Sequence, residues 1–343
     1  MSKSDKKGEI TINDIAKALN IAASTVSRAL NDSAKISDKT KQKVRQAAQE
    51  MGYELNLVAS SLSKNKTNLI GVILPKLSSQ FFAKALSGIE EVAQIAGYKI
   101  IICQTNESYL QEMEMTKVMN SARVDGVIAC LSMETQNVDH FNVFLRKEVP
   151  VAMFDRVNFN VPGPKVVVDN YEGAYKATEH LINVGCKRIA HLGGPQNCKV
   201  FEDRAKGFSD ALKHHDLPLL PQFLLASDLT EKDARDAMQL WMGLDQKPDA
   251  IFTGSATTGL IITSIAKNYG VKIPEELSII SFGNEPCNEF MVPSLSAVDM
   301  PGLDMGKAVA AHLIESIETK STDSPLVLKP IQLLIRNSSF VMR

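Results

Sequence analysis

The stretch INDIAKALNIAASTVSRALN, residues 12–31, has the pattern of two short helices separated by a tight turn. Small and apolar residues repeat at helical spacing and form a spine, which consists of Ala16, Ile21, Val26 and Leu30. Short polar residues and one arginine lie on the other face, namely Ser24, Thr25, Ser27 and Arg28. Hydroxyl groups can bind phosphate oxygens and arginine can bind guanine, so the pattern predicts a helix-turn-helix that reads DNA. The same spacing would also suit a three-helix bundle whose only role is packing.

The flanking residues extend this unit to three short helices over residues 11–52. Thr11 followed by Asp14 predicts a capping box at the start of the first helix, with Asp in place of the usual Glu. Ser37 is placed to cap the third helix, and Gly52 is placed to end it. The polar segment YELNLVASSLSKNK, residues 53–66, follows and is interpreted as a linker.

The pattern changes after residue 67, where short β-branched runs alternate with amphipathic helices. The predicted strands are residues 69–74, 98–103, 125–130, 149–154, 165–169, 188–192, 222–226, 249–252 and 277–282. Such alternation indicates parallel sheets, and these strands are too many for one compact sheet. We therefore predict two α/β lobes, with a ligand-binding cleft between them at the carboxyl ends of the strands.

Charge is distributed unevenly along the 343 residues. Residues 1–66 contain 12 Lys and Arg against 7 Asp and Glu, whereas residues 67–343 contain 26 against 32. A basic head on an acidic body is expected where one end of a protein meets an anionic polymer. Scattered surface lysines would give the same balance, so charge by itself leaves both interpretations open.

The remaining composition bounds the class of protein. The five cysteines form no CxxC pair, which predicts buried free thiols in a reducing compartment. No secretion signal and no run of about 18 apolar residues is visible, so we expect a cytoplasmic protein without membrane contact. The glycines at 193–194 lack the spacing of nucleotide-binding loops, and no catalytic set is readable. We expect neither an enzyme nor a cofactor nor a metal site.

Longer stretches of the chain closely resemble the LacI/GalR family of bacterial transcription regulators. In the head these are DIAKALNI, STVSRALN, ISDKTKQKV and AAQEMGYELN, in this order. In the body they include IGVILP, RVDGVIA, PVAMFDR, DRAKGF and IPEELSIISF, so the resemblance covers nearly the whole chain. It implies an α/β protein with a small all-α helix-turn-helix headpiece (1–52) and a hinge (53–67). The rest (68–343) would be a two-lobed sensor like the type I periplasmic binding proteins, with parallel sheets, which binds an effector and dimerises.

The resemblance also implies DNA-binding roles in the second helix. Ala23 and Ser24 open this recognition helix and occupy its main specificity positions. Arg28 lies where the family often reads a base. The positions that contact phosphate in the family are held here by Thr25, Ser27 and Asn31.

In the hinge, Leu62 matches the leucine with which the family enters the minor groove and kinks the duplex. Ala59 matches a small residue that contacts the same groove. Leu55 and Ser60 replace the usual Pro and Arg, so the hinge carries less positive charge than in most relatives. Non-specific affinity is then expected to be weaker, and helix formation in the hinge to depend more on DNA.

For the effector, Arg204 in DRAKGF matches an arginine that grips hydroxyls or carboxylates, and Asp155 in FDR matches a cleft residue. Phe81 and Phe82 match positions that line the cleft, although Phe82 is at least as well suited to the core. For Arg204 the other interpretation is an ordinary solvated helix residue.

Four other positions depart from the family pattern. Ser255 and Ala256 stand in place of Asn-Asp, Gly283 stands in place of Asp, and Leu229 replaces a frequent aromatic. The neighbouring Asn284 and Glu285 could replace the missing polar groups. The candidate effector contacts in this part of the chain are Leu229, Ser255 and Asn284. The loss of carboxylates argues against a simple sugar held in the usual way. It favours a sugar acid, a phosphorylated sugar or another anion, or a loss of small-molecule sensing.

Together these features predict a transcriptional regulator, most simply a repressor, whose affinity for a pseudo-palindromic operator is modulated by a small carbohydrate-derived or anionic effector. No leucine heptad follows PIQLLIRNSS, residues 330–339, so we expect a homodimer. Control by a protein partner or a corepressor is the alternative. A solute-binding protein would have a similar two-lobed body, but the DNA-binding head and the missing signal peptide disfavour it.

Overall fold

A computed structural model of the chain describes residues 10–30, 32–53, 66–321 and 323–340. The chain divides into two compact units, Met1–Thr67 and Asn68–Arg343, which we call the head and the body. Residues 54–65, which make up most of the predicted linker, lie outside the described ranges. Within the described ranges, no helix is both long and apolar enough to cross a membrane.

The head contains three helices, α1 (Ile12–Leu19), α2 (Ala23–Leu30) and α3 (Asp38–Met51). The capping box is confirmed, because the Asp14 carboxylate accepts from the Thr11 amide at 2.9 Å and from its hydroxyl at 2.7 Å. Ser37 accepts from the Thr40 amide, and Gly52 ends α3 at a φ of 70°. The helices enclose a small core formed by Ile15, Ala16, Val26, Ala29, Val44 and Ala48.

The body begins with the first lobe. Its elements, in chain order, are β1 (Leu69–Leu74), α4 (Gln80–Ile95), β2 (Lys99–Gln104), α5 (Tyr109–Ser121), β3 (Gly126–Ala129), α6 (Asn142–Leu145), β4 (Val151–Phe154) and β5 (Lys165–Val168). A single 3₁₀ turn, Asp139–Phe141, precedes α6.

The second lobe follows. It contains α7 (Asn170–Asn183), β6 (Ile189–Gly193), α8 (Lys199–His214), β7 (Leu224–Ala226), α9 (Glu231–Met242), β8 (Ala250–Thr253), α10 (Ala256–Asn268), β9 (Ser278–Phe282), α11 (Cys287–Phe290) and β10 (Ser296–Asp299). A 3₁₀ turn, Pro221–Phe223, leads into β7. The chain then returns to the first lobe as α12 (Gly302–Thr319) and β11 (Leu326–Lys329), and ends in the second lobe with β12 (Gln332–Leu334).

Each lobe is built on one six-stranded sheet. The strand order is β11-β5-β4-β3-β1-β2 in the first lobe and β12-β10-β9-β8-β6-β7 in the second. The pairs are parallel except for β12 with β10, which is antiparallel. The order reverses between β1 and β3, and again between β6 and β8, so each sheet has a switch point where loops diverge and leave a crevice. The chain crosses between the lobes at residues 169, 300–301 and 330–331.

The predicted two-lobed parallel architecture is confirmed, and each of the nine predicted strands is present within about two residues of its expected ends. The expectation that all cysteines are buried is wrong. All five are free, but Cys287 is exposed because it starts the short surface helix α11, and Cys103 and Cys198 are only partly buried.

Candidate DNA-reading helix and effector cleft

Helix α2 separates an inward face from an outward face. Val26 and Ala29 are fully buried in the core of the head, whereas Ser24 and Arg28 are exposed. Ala23, Thr25 and Ser27 are partly buried, and Ala23 packs against the core. The exposed residues on α2 are thus those whose side chains can donate to bases or phosphates.

The loop after α2 is tied to α3 by charge. Asp32 binds Lys41 at 3.1 Å and Arg45 at 2.9 Å. The hydrogen bond and charge of Lys41, followed by the charge of Arg45, lower the pKa of Asp32 below its usual value. Because Asp32 is exposed, this contact orients α3 more than it stabilises the head. The predicted contacts of Asn31, Ala59 and Leu62 lie outside the described residues and stay predictions.

Several candidate cleft residues lie in segments that follow the carboxyl ends of strands. Asp155 follows β4, Gly254 and Ser255 follow β8, and Gly283 follows β9. Gly283 has a φ of 96°, a left-handed conformation that favours glycine. The backbone conformation at this position therefore accounts for glycine in place of the family's Asp.

Arg204 projects from α8 and is only 5% exposed. Its Nε donates to Asn170 Oδ1 at 2.9 Å, and its Nη1 donates to the Gly254 carbonyl at 2.9 Å. Its Nη2 lies 4.0 Å from Met300 Sδ. Since a guanidinium has five N–H donors, these contacts fix its plane and leave donors for a ligand. Arg204 is therefore buried and fixed by hydrogen bonds, and it is not the solvated helix residue of the alternative interpretation.

Aromatic rings surround this guanidinium. Its centre lies 3.6 Å from the centroid of Phe282 and 5.2 Å from that of Phe201. Burial lowers the pKa of Arg204 to about 10, and the negative charge of Asp155 opposes this effect. The side chain therefore stays charged at neutral pH, in surroundings where a charge-assisted hydrogen bond to a ligand is strong.

Asp155 supplies a buried acceptor in the cleft. The residue is 6% exposed, and its Oδ1 has no hydrogen-bond partner among the described residues. The Cys130 thiol lies 3.7 Å from the other oxygen, Oδ2. The φ of Asp155 is 58°, a strained value for a non-glycine residue that recurs at binding sites. A buried carboxylate oxygen without a partner is costly, so it favours a ligand that donates a hydrogen bond.

Arg156, which no sequence pattern singled out, lies next to Asp155 at the end of β4. Its Nη1 and Nη2 bind the two Glu107 oxygens at 2.5 and 3.2 Å, and its Nη1 also lies 3.3 Å from the Leu131 carbonyl. Burial acts to lower the pKa of Arg156, but the charge of Glu107 outweighs it and raises the pKa above the ordinary value. The guanidinium lies 5.6 Å from the ring of Phe201. Since Arg156 belongs to the first lobe and Phe201 to the second, the two lobes meet at this ring.

The aromatic candidates differ in their surroundings. Phe81 and Phe82 form an edge-to-face pair with ring centroids 5.1 Å apart, and each lies 6.3 Å from Phe154. Phe82 is 5% exposed and belongs to the core of the first lobe, whereas Phe81 is partly buried at its edge. Of the two, Phe81 is the better placed to touch a ligand.

The remaining candidates are polar or apolar groups of the second lobe. Ser255 caps α10, and its hydroxyl lies 2.9 Å from that of Thr258. Leu229 packs against the core of the lobe and has a φ of 57°. Asn284 is half-buried, and its Oδ1 has no partner among the described residues. Ser255 is thus already engaged, while Asn284 retains a free acceptor.

Comparison with known proteins gives the family. Residues 67–337 match the family of periplasmic binding proteins and sugar binding domain of LacI family, and residues 11–56 match the bacterial regulatory proteins of the lacI family. The ribose operon repressor of Halalkalibacterium halodurans is 31% identical over 96% of this chain and 97% of its own length. Catabolite control protein A of Priestia megaterium is 30% identical over 96% and 99%.

Solved structures agree with this assignment. The lac repressor dimer bound to operator and an anti-inducer has a TM-score of 0.85 over 97% of this chain and 100% of its own. At 20% identity it shows the fold alone. A periplasmic binding protein/LacI transcriptional regulator from Alkaliphilus metalliredigens, complexed with D-xylulofuranose, has a TM-score of 0.68 at 27% identity, and the match covers 80% of this chain and 100% of that one. The chain therefore belongs to the LacI family of bacterial regulatory proteins and is a DNA-binding transcriptional regulator, not an enzyme.

Proposed function

We propose that this protein is a transcriptional repressor whose operator affinity is set by a small effector bound in the cleft of the body. The observation that carries the proposal is a buried donor–acceptor pair. Arg204 offers guanidinium N–H groups and Asp155 offers an unpartnered oxygen, and each residue is at least nine-tenths buried. Residues 1–52 would read DNA, 53–67 would be the hinge, and 68–343 would bind the effector and dimerise.

The donor–acceptor pair favours a polyhydroxylated, carbohydrate-derived effector. A hydroxyl can donate to Asp155 Oδ1 and accept from Arg204 at the same time, which a bare carboxylate or phosphate cannot do. An anionic group placed beside Asp155 would be repelled, so any charge on the effector should lie toward Arg204 and Arg156. The names of relatives, a ribose operon repressor and a regulator complexed with D-xylulofuranose, point to the same class of ligand.

Calorimetry with neutral pentoses and hexoses, uronic acids and sugar phosphates tests this proposal. We expect one class to bind wild type and to lose its binding in Arg204→Ala and Asp155→Asn. The first variant removes the donors, and the second removes the charge of the acceptor while it preserves its shape. Binding that is equal in all three proteins would contradict the site, and no binding across the panel would favour control by a protein partner.

A further inference from the structure

Glu285 is a side chain of the second lobe that binds the backbone of the first. It follows β9 after the turn at Gly283 and is half-buried. Its Oε1 and Oε2 accept from the Gln80 amide at 3.1 and 3.2 Å. The Ser79 hydroxyl lies 3.5 Å from Oε1, at the limit of a hydrogen bond. Since Ser79 and Gln80 begin α4, one carboxylate joins a helix of one lobe to the strand end of the other.

Helix α4 has no cap of its own. Ser79 is in the N-cap position, but its side chain makes no capping hydrogen bond, and the first turn contains no acidic residue. The first N–H groups of a helix lack intrahelical partners, and the helix dipole favours a negative charge beside them. Glu285 supplies both the acceptor and the charge, so the second lobe completes the end of a helix in the first.

The contact requires that the lobes lie close together. Gln80 belongs to the first lobe and Glu285 to the second, and the lobes are joined through the crossovers at residues 169, 300–301 and 330–331. If the lobes separate by a few ångströms, the carboxylate loses the amide and α4 loses its cap. Both carboxylate oxygens of Glu285 accept from the Gln80 amide, so the start of α4 is the partner that holds this side chain.

We propose that Glu285 is an interlobe latch that stabilises the closed arrangement of the body, by which we mean the one in which the lobes touch at Glu285 and Gln80 and at Arg156 and Phe201. It acts as a positioning residue that keeps Arg204 of the second lobe opposite Asp155 and Arg156 of the first. Where the cleft takes an effector, which rests on the function proposed above, the latch raises effector affinity. The reason is that a ligand that needs the closed arrangement binds in proportion to the fraction of molecules already closed.

Hydrogen exchange on the full-length protein without added ligand tests the latch directly. We expect Glu285→Ala to speed the exchange of the Gln80 amide several-fold, with a smaller change in Glu285→Gln, which keeps one weaker acceptor. Segments around Arg156 and Phe201 should also exchange faster, because these residues contact each other across the two lobes and become more exposed when the lobes separate. The amide of Ile89, in the buried middle of α4, should not change if the fold is intact.

Glu289→Ala is the matched control, since Glu289 is an exposed carboxylate four residues further on and should leave all of these rates unchanged. Unchanged exchange at Gln80 in Glu285→Ala would show that the contact does not form in solution. Faster exchange at Gln80 alone, without a change around Arg156 and Phe201, would show a helix cap that does not hold the lobes, and would also overturn the latch. Neither result depends on whether an effector regulates DNA binding, so the latch and the proposed function can fail separately.

Discussion

Arg28 is the exposed arginine of α2, and we expect it to read a base of the operator. It is exposed, while its neighbours Val26 and Ala29 hold the helix in the core of the head. Arg28→Ala should weaken binding to the operator by about 1–3 kcal/mol, the magnitude of one bidentate contact to a base. The thermal unfolding of the head should not change. Fluorescence anisotropy with operator and random duplexes measures the effect.

Arg28→Lys separates the two roles that arginine can have at this position. Lysine keeps the charge but cannot form the planar pair of bonds. Arg28→Lys should therefore bind random DNA like wild type and bind the operator as weakly as Arg28→Ala. Equal losses on both duplexes in Arg28→Ala would mean that Arg28 contacts phosphate only.

His191 should make the body sensitive to acid. It is fully buried on β6, where its ring stacks between Phe208 and Phe252 and its Nδ1 lies 2.9 Å from the Phe252 carbonyl. Burial lowers its pKa from 6.5 to about 4, and the charge of Arg204 acts in the same direction. Between these two values the unfolded chain binds more protons than the folded one, so stability falls as the pH falls through this window.

The free energy of unfolding should therefore lose roughly 2–3 kcal/mol between the two pKa values through this one group. His191→Phe keeps an aromatic ring between Phe208 and Phe252 but cannot titrate. Urea unfolding of both proteins at several pH values should give a flatter pH profile for the variant. Parallel profiles would contradict a buried neutral imidazole.

The residues of the cleft show what single-sequence reasoning can reach. Arg204 and Asp155 could be predicted because they lie in stretches that resemble the family, DRAKGF and FDR. Arg156 is adjacent to Asp155 and was still missed. Its role depends on Glu107, which is 49 positions away in sequence. The ring of Phe201 likewise becomes a contact between the lobes only after both have folded, so no local pattern marks it.

At the scale of elements, the pair formed by α7 and α8 depends on Gly207. A Cβ atom at this position would lie 2.3 Å from the Tyr171 carbonyl oxygen and 3.0 Å from the Tyr175 amide nitrogen, both backbone atoms of α7. Gly207→Ala should therefore push the helices apart and cost about 1–3 kcal/mol of stability. Because Arg204 lies one turn earlier on α8, the same change should weaken effector binding.

Gly243→Ala is the matched control for this substitution. Gly243 follows α9 with a φ of −82°, and a Cβ atom there would come no closer than 3.4 Å to its neighbours. Its effect on stability should stay within about 0.5 kcal/mol. Thermal unfolding of the two variants gives the comparison, and similar losses in both would contradict the close approach of α7 and α8.

β10 and β11 were not among the predicted strands, and the physical reason differs between them. β10 is short and contains a serine next to Ala297, so it lacks a β-branched run, although its first three residues are buried. β11 is an edge strand whose two exposed positions are apolar, with Leu326 57% and Leu328 60% exposed, so its sequence LVLK does not alternate between apolar and polar residues. The helices of the head were easier to predict from the sequence, because Thr11, Ser37 and Gly52 mark helix ends through local hydrogen bonds and backbone conformation.

At the scale of the whole molecule, we expect a dimer that binds a pseudo-palindromic operator. One recognition helix reads only a few base pairs, and a protein with two-fold symmetry matches a two-fold site. Light scattering should give twice the chain mass of 37.5 kDa. A duplex with one half-site scrambled should bind far more weakly than the intact palindrome. A monomer that binds one half-site as tightly as the palindrome would contradict this prediction.

The measurement that tests the central claim most directly is the operator affinity of wild type and Arg204→Ala, with and without the sugar found by calorimetry. In wild type the sugar should change the operator Kd at least about tenfold, which corresponds to about 1.4 kcal/mol of coupling between cleft and head. In Arg204→Ala the operator should bind as before, and the sugar should have no effect. The account would be contradicted if the sugar bound to wild type without changing its operator Kd, or if the sugar changed the operator Kd of Arg204→Ala as much as that of wild type.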